Sequence, residues 1–142
     1  RYLGFFLMRH KLHLKVRFNE VDAAGIVFYP SFFDYFHMAF EDFFGAATDI
    51  PYPVWIRDRR IGWPSVHIQA DYRAPLCYGD EFTIELGFRS LGRSSFVCVY
   101  RAVSEEVVHA EAEITVVTTK LDEMRSIPIP EEVRQALERY HV

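Results

Sequence analysis

The sequence predicts an α+β fold in which an antiparallel β-sheet wraps around one long central α-helix. Three observations lead there. One long helical repeat occupies residues 31–45. An alternating run precedes it. Four further strand-like runs follow it with almost no helix signal between them. The 142 residues have the length of one ordinary domain, and no internal repeat, low-complexity tract or second domain interrupts them. Such a sheet has edges and a second face that another copy of the chain would cover.

Met8 opens "MRHKLHLKVRF" and reads as a natural start. Residues 1–7, "RYLGFFL", read as a short apolar extension or a misassigned start, too short for a secretory signal. From Leu12 to Phe18 the chain alternates. Leu12, Leu14, Val16 and Phe18 share one side, and His13, Lys15 and Arg17 share the other, which predicts a strand with one buried face. The loop "NEVDAAG" follows, and Gly25 marks a backbone position that tolerates unusual dihedrals. In the helix, Phe32, Phe33, Phe36, Ala39, Phe40, Phe43 and Phe44 fall within an arc of roughly 140°. Asp34, Tyr35, His37, Met38, Glu41 and Asp42 lie opposite. Pro30 suits the first turn, Ser31 with Asp34 resembles a capping box, and Gly45 is the expected stop.

A connector containing Pro and aromatic residues comes next. Then Val66, Ile68, Ala70 and Tyr72 alternate with polar neighbours, as do Phe82, Ile84, Leu86 and Phe88. "SSFVCVYRAV" is apolar on both faces for part of its length. "VVHAEAEITVVTTK" sets Val108, Ala110, Ala112, Ile114 and Val116 against His109, Glu111, Glu113 and Thr115. "SEE" is the hairpin between these last two runs. A short amphipathic helix from about Pro130 to Tyr140 ends the chain.

Composition excludes several classes of function. A net charge of −4 does not draw the chain to nucleic acid. No apolar run reaches the roughly 18 residues of a membrane span. Cys77 and Cys98 read as free thiols in a reducing compartment, which points to the cytoplasm. No metal-binding spacing of His or Cys is present, and His13, His67 and His109 read as solvated residues on polar strand faces. Neither a nucleophile elbow nor a phosphate-binding glycine loop occurs.

Carboxylates remain. Asp22 lies just ahead of an apolar helix, and two readings of it stand. It is a loop acid that accepts backbone hydrogen bonds. Alternatively, it works with the unsatisfied N–H groups near Phe28 to Pro30, where a helix start polarises a carbonyl while the acid attacks it or activates water. Arg89 and Arg93 flank "SLG", Ser94 and Ser95 follow, and Arg125 lies beyond the last strand. These are solvated turn residues or a phosphate-binding set.

The stretch "VRFNEVDAAGIVFYPSFFDYF" resembles the motif of the 4-hydroxybenzoyl-CoA thioesterase branch of the hotdog-fold superfamily. The resemblance covers nearly the whole chain. It implies a hotdog fold and hydrolysis of an acyl-CoA thioester. Asp22 would be nucleophile or general base, and the Tyr29 backbone N–H would polarise the carbonyl. It implies that Gly25 keeps the backbone close to the substrate, and that Arg93, Ser94, Ser95 and Arg125 contact coenzyme A phosphates. It also implies tetramers of paired dimers with active sites at the dimer interface, and no cofactor beyond the coenzyme A of the substrate.

Ser94 stands where a lysine is common. Trp63 stands where the family can have a smaller residue, which would reshape the acyl pocket. Pro30 follows the Tyr as in the hydroxybenzoyl branch, where Tol-Pal-associated thioesterases carry His. A hydratase on the same fold, or a non-catalytic acyl-CoA-binding subunit, are the rival readings.

Overall fold

A computed structural model describes residues 8–142, and the expectation about residues 1–7 lies outside them. The first strand, β1 (His10–Lys15), starts two residues earlier and stops sooner than the alternation predicts. Val16 remains inside, but its N–H donates to the Asp80 carbonyl in a turn. The chain then tightens into a 3-10 turn at Phe18–Glu20, which leaves Phe18 76% exposed rather than on the buried face.

Helix α1 (Ser31–Thr48) buries Phe32, Tyr35, Phe36, Ala39, Phe40, Phe43 and Phe44. Tyr35, expected on the polar side, is 1% exposed, while Phe33 is only partly buried. The predicted capping box does not form, since no side chain caps the helix start at Pro30. Nor does Gly45 end the helix. Ala46 and Ala47 continue it, the Thr48 hydroxyl donates back to the Phe44 carbonyl at 2.6 Å, and Asp49 supplies the left-handed stop at φ 60°.

The main sheet contains β1, β3 (Ser65–Tyr72), β4 (Glu81–Arg89), β5 (Ser95–Ser104) and β6 (Val107–Val117). It is antiparallel throughout, in the order β1-β4-β5-β6-β3. The inward row of β4 is the predicted one, with Phe82, Ile84, Leu86 and Phe88 facing α1; beside it β5, which reads as apolar on both faces, turns Phe96, Cys98, Tyr100 and Ala102 inward. Aromatic rings join the layers: Phe36 stacks on Tyr100 at 4.9 Å, and Phe43 meets Phe88 at 4.7 Å. Each fully buried Phe contributes about 2–3 kcal/mol of apolar burial, so this helix face holds the fold together.

The β5–β6 turn places Glu105 and Glu106 at φ 47° and 67°, the left-handed pair of a two-residue hairpin. His109 is buried, not solvated. Its Nδ1 lies 3.1 Å from the Pro75 carbonyl and its Nε2 2.6 Å from the Ser104 hydroxyl. A ring that donates to the carbonyl and accepts from the hydroxyl satisfies both nitrogens without charge.

The last long run breaks at Thr118. Its N–H donates to the Ser94 carbonyl at 2.8 Å, and the chain leaves the main sheet. A small second sheet of β2 (Ile61–Gly62), β7 (Thr119–Lys120) and β8 (Arg125–Ser126) results. Helix α2 (Glu131–Arg139) closes the structure through Val133, Ala136 and Leu137. At the far edge, β3 exposes Val66 and Ile68, 62% and 51% accessible, with Tyr72 beside them.

Candidate active site

Asp22 lies on a tight loop. Val21 bridges Val27, the Asp22 N–H donates to the Ile26 carbonyl at 2.9 Å, and the Gly25 N–H donates to the Asp22 carbonyl at 2.9 Å. Gly25 sits at φ +79°, and a Cβ added there would meet nothing within 4 Å. The turn therefore needs glycine for its dihedral, not for space within the chain. The Asp22 Oδ1 accepts the Ala24 N–H at 2.9 Å and the Ile26 N–H at 3.4 Å. This is the loop-acid geometry, but it uses one oxygen only. Nothing among the described residues donates to Oδ2, and the residue is exposed.

Among the described residues, the helix start has one free donor. Phe28 N–H donates to the Glu20 carbonyl at 3.0 Å. Ser31, Phe32 and Phe33 donate to the carbonyls of Phe28, Tyr29 and Pro30 at 2.8, 3.3 and 3.0 Å. Pro30 has no N–H. Among the described residues, only the Tyr29 N–H of this turn lacks an acceptor. Asp22, Gly25 and Tyr29 thus come together on one loop.

Glu20 ties that loop to the helix. Its Oε1 accepts the Arg17 N–H and the Tyr35 hydroxyl, each at 2.8 Å. Burial, then the hydrogen bond to Glu20, push the Tyr35 phenol well above its ordinary range, so it stays a donor. The polar-side assignment of Tyr35 hid this contact. Its spacing from Phe32 and Ala39, three back and four on, was the signal.

A cleft of about 220 Å³ lies between α1 and the β3–β6 side of the sheet. Phe33, Phe36, Phe40, Trp63 and Tyr100 wall it, and His37 and Ser65 add polar groups to the lining, with His37 paired with Glu41 at 2.8 Å. Trp63 is buried, with its Nε1–H donating to the Thr118 hydroxyl at 3.0 Å.

The predicted basic residues lie elsewhere. Arg93 and Ser94 precede β5, and their carbonyls accept the N–H groups of Ile129 and Thr118 at 2.9 and 2.8 Å. Arg125 lies on the neighbouring β8, paired with Glu123 at 2.7 Å. These residues and Ser95 sit at the β5 start. The Asp22 loop sits at the other end, where Ser104, His109 and Pro75 are linked and the Val27 N–H meets the Leu76 carbonyl. The ten residues of β5 separate the two ends by about 30 Å. One chain does not bring Arg93, Ser94, Ser95 or Arg125 to Asp22. Among the described residues, no three His, Cys, Asp or Glu converge as metal ligands, and no helix is long and apolar enough to cross a membrane.

A sequence profile of the thioesterase-like superfamily matches residues 16–137, a span that holds the Asp22 loop, the cleft and the basic end. The chain belongs to this superfamily. A thioesterase-like relative from Synechococcus elongatus, named 1,4-dihydroxy-2-naphthoyl-CoA hydrolase, is 31% identical over 87% of this chain and 90% of its own. A solved gentisyl-coenzyme A thioesterase is 31% identical, with a TM-score of 0.80 over 87% of this chain and 98% of that one. The Synechocystis 1,4-dihydroxy-2-naphthoyl-CoA thioesterase structure, at 23% identity, shares the fold with a TM-score of 0.82 over 92% and 96% of the two chains. The architecture is the hotdog fold of these thioesterases.

Proposed function

We propose that this chain is an acyl-CoA thioesterase that hydrolyses an aromatic acyl-CoA to the free acid and coenzyme A. One observation carries the reading: a carboxylate oxygen and a backbone donor, both without partners among the described residues, share one loop at a helix start. The Tyr29 N–H receives the thioester oxygen and holds the charge that develops on it. Asp22 Oδ2 attacks the carbonyl carbon, or takes a proton from a water that does so. Either route expels coenzyme A as the thiolate, which is then protonated; attack by water gives the free acid directly, whereas attack by Asp22 leaves a mixed anhydride that water hydrolyses to the free acid and the Asp22 carboxylate. Carboxylate, donor and water supply every atom that hydrolysis needs, so we assign no further cofactor.

The aromatic walls of the cleft and the naming of the relatives support an aromatic acyl group, with Trp63 shaping its pocket. Gly25 keeps the loop tight beside the substrate. We assign the coenzyme A phosphates to Arg93, Ser94, Ser95 and Arg125 of a second copy. Antiparallel pairing of two exposed β3 edges would place the basic end of one copy beside the Asp22 end of the other. We assign the enzyme to such a dimer, itself able to pair into a tetramer, in the cytoplasm. The free thiols of Cys77 and Cys98 suit a reducing compartment.

The test is thiol release from a panel running from short aliphatic to benzoyl, 4-hydroxybenzoyl and naphthoyl coenzyme A. Asp22→Asn keeps the two N–H contacts to Oδ1 and loses the carboxylate. It should cost about 10²- to 10⁴-fold in kcat. Activity within a few-fold of the parent would remove Asp22 from the mechanism.

A further inference from the structure

We infer that Glu20 and Tyr35 form a positioning pair that sets Asp22 and the Tyr29 N–H at their working separation. The inference rests on the thioesterase reading and adds two residues that never touch the substrate.

The buried face of α1 is aromatic or small throughout, and Tyr35 is its one hydroxyl. Its ring packs edge-on against Phe82 at 4.8 Å, a place that phenylalanine would fill equally well. What phenylalanine lacks is the bond to Glu20. That bond meets Glu20 from the helix, while the Arg17 N–H meets the same oxygen from the end of β1, both at 2.8 Å. The backbone of Glu20 acts in the other direction. Its carbonyl holds Phe28 N–H at 3.0 Å, one residue before the free donor at Tyr29. Asp22 follows Glu20 by two residues. Glu20 is therefore the fixed point between the acid and the donor, and Tyr35 anchors it to a helix whose neighbouring rings are immobilised in the core. Without the anchor, the loop retains its internal turn but loses its fixed relation to the helix start. A misplacement of about 1 Å at reacting groups costs on the order of 100-fold in rate.

The variants are Tyr35→Phe, Glu20→Ala and Glu20→Gln in the full chain. Two readouts are taken: steady-state hydrolysis on the acyl-CoA panel, and amide hydrogen exchange over residues 18–30. Tyr35→Phe and Glu20→Ala should each lower kcat about 10- to 100-fold with KM changed less than about 3-fold. The double variant should be no slower than either single one. Glu20→Gln, whose amide oxygen accepts both bonds, should restore most of kcat. Exchange at Phe28 should quicken about 10-fold in Tyr35→Phe while β4 stays protected. A purely structural role would instead lower the melting temperature and leave kcat per folded molecule unchanged. That result, or parental exchange rates in Tyr35→Phe, overturns the pair. If the parent hydrolyses no thioester, the functional reading fails by itself, and exchange still decides whether Tyr35 holds the loop.

Discussion

Trp63→Phe separates the structural and selective work of one side chain. The indole N–H donates to the Thr118 hydroxyl at 3.0 Å, and Thr118 is 0% exposed. Phenylalanine removes the donor and leaves a buried oxygen short of a partner, at about 1–3 kcal/mol. The smaller ring gives up about 1 kcal/mol of apolar contact with Phe44 and Trp55, whose ring centres lie 4.6 and 5.6 Å away. The sum, roughly 2–4 kcal/mol, should lower the urea midpoint at constant slope and the melting temperature by about 10 °C. Adding Thr118→Val removes the orphaned oxygen at nearly the same volume and should return about 1–2 kcal/mol. The same change deepens the cleft. The ratio of kcat/KM for naphthoyl over benzoyl coenzyme A should rise about 10-fold or more. A double variant no more stable than Trp63→Phe would refute the hydrogen-bond argument, and an unchanged ratio would refute the placing of the acyl group against Trp63.

Ile68→Glu puts a charge at the centre of the exposed β3 edge. Sedimentation should show a monomer with coenzyme A affinity lost, and a dimer unaffected by the charge would place the interface elsewhere. Burial, then the charge of Glu41, push the Tyr52 phenol up to about 12 from an ordinary 10.0. The unfolded chain releases that proton first, so the stability tied to it is whole below pH 10 and drains away as pH rises toward 12. Tyr35 and Tyr100 act in the same direction. Denaturant midpoints should therefore fall across that interval, and Tyr52→Phe should flatten the fall. An equally steep fall in Tyr52→Phe would refute the assignment.

Elements with a clear period were legible. The alternations of β4 and β6 told which side chains meet the helix, because one face of each strand is covered and the other is not, whereas β5 reads as apolar on both faces and showed no inward row. Periodicity reports contrast, not cover. It put Phe18 inside because the residue is apolar, yet the chain turns before reaching it. It put Tyr35 and His109 outside because they are polar, yet each finds partners far along the chain: Glu20 for the tyrosine, Pro75 for the histidine. Two-residue strands such as β2 and β7 are too short to have a period at all. The loop carrying Asp22, Gly25 and Tyr29 was legible because it is local. The separation of about 30 Å between it and the basic end was not, since that distance depends on which strand ends the topology puts together.

The chain contains only two tryptophans, and both rings are buried within 5.6 Å of each other. Trp63 walls the cleft. Trp55 lies behind it, with the Arg59 guanidinium 4.5 Å from its ring centre. The protein thus carries its own optical probe. An acyl group entering the cleft would meet Trp63, and because Trp55 lies close enough to share its excitation, the two indoles would respond as one coupled emitter. Intrinsic fluorescence should then report occupancy of the pocket in real time, without a label and without turnover.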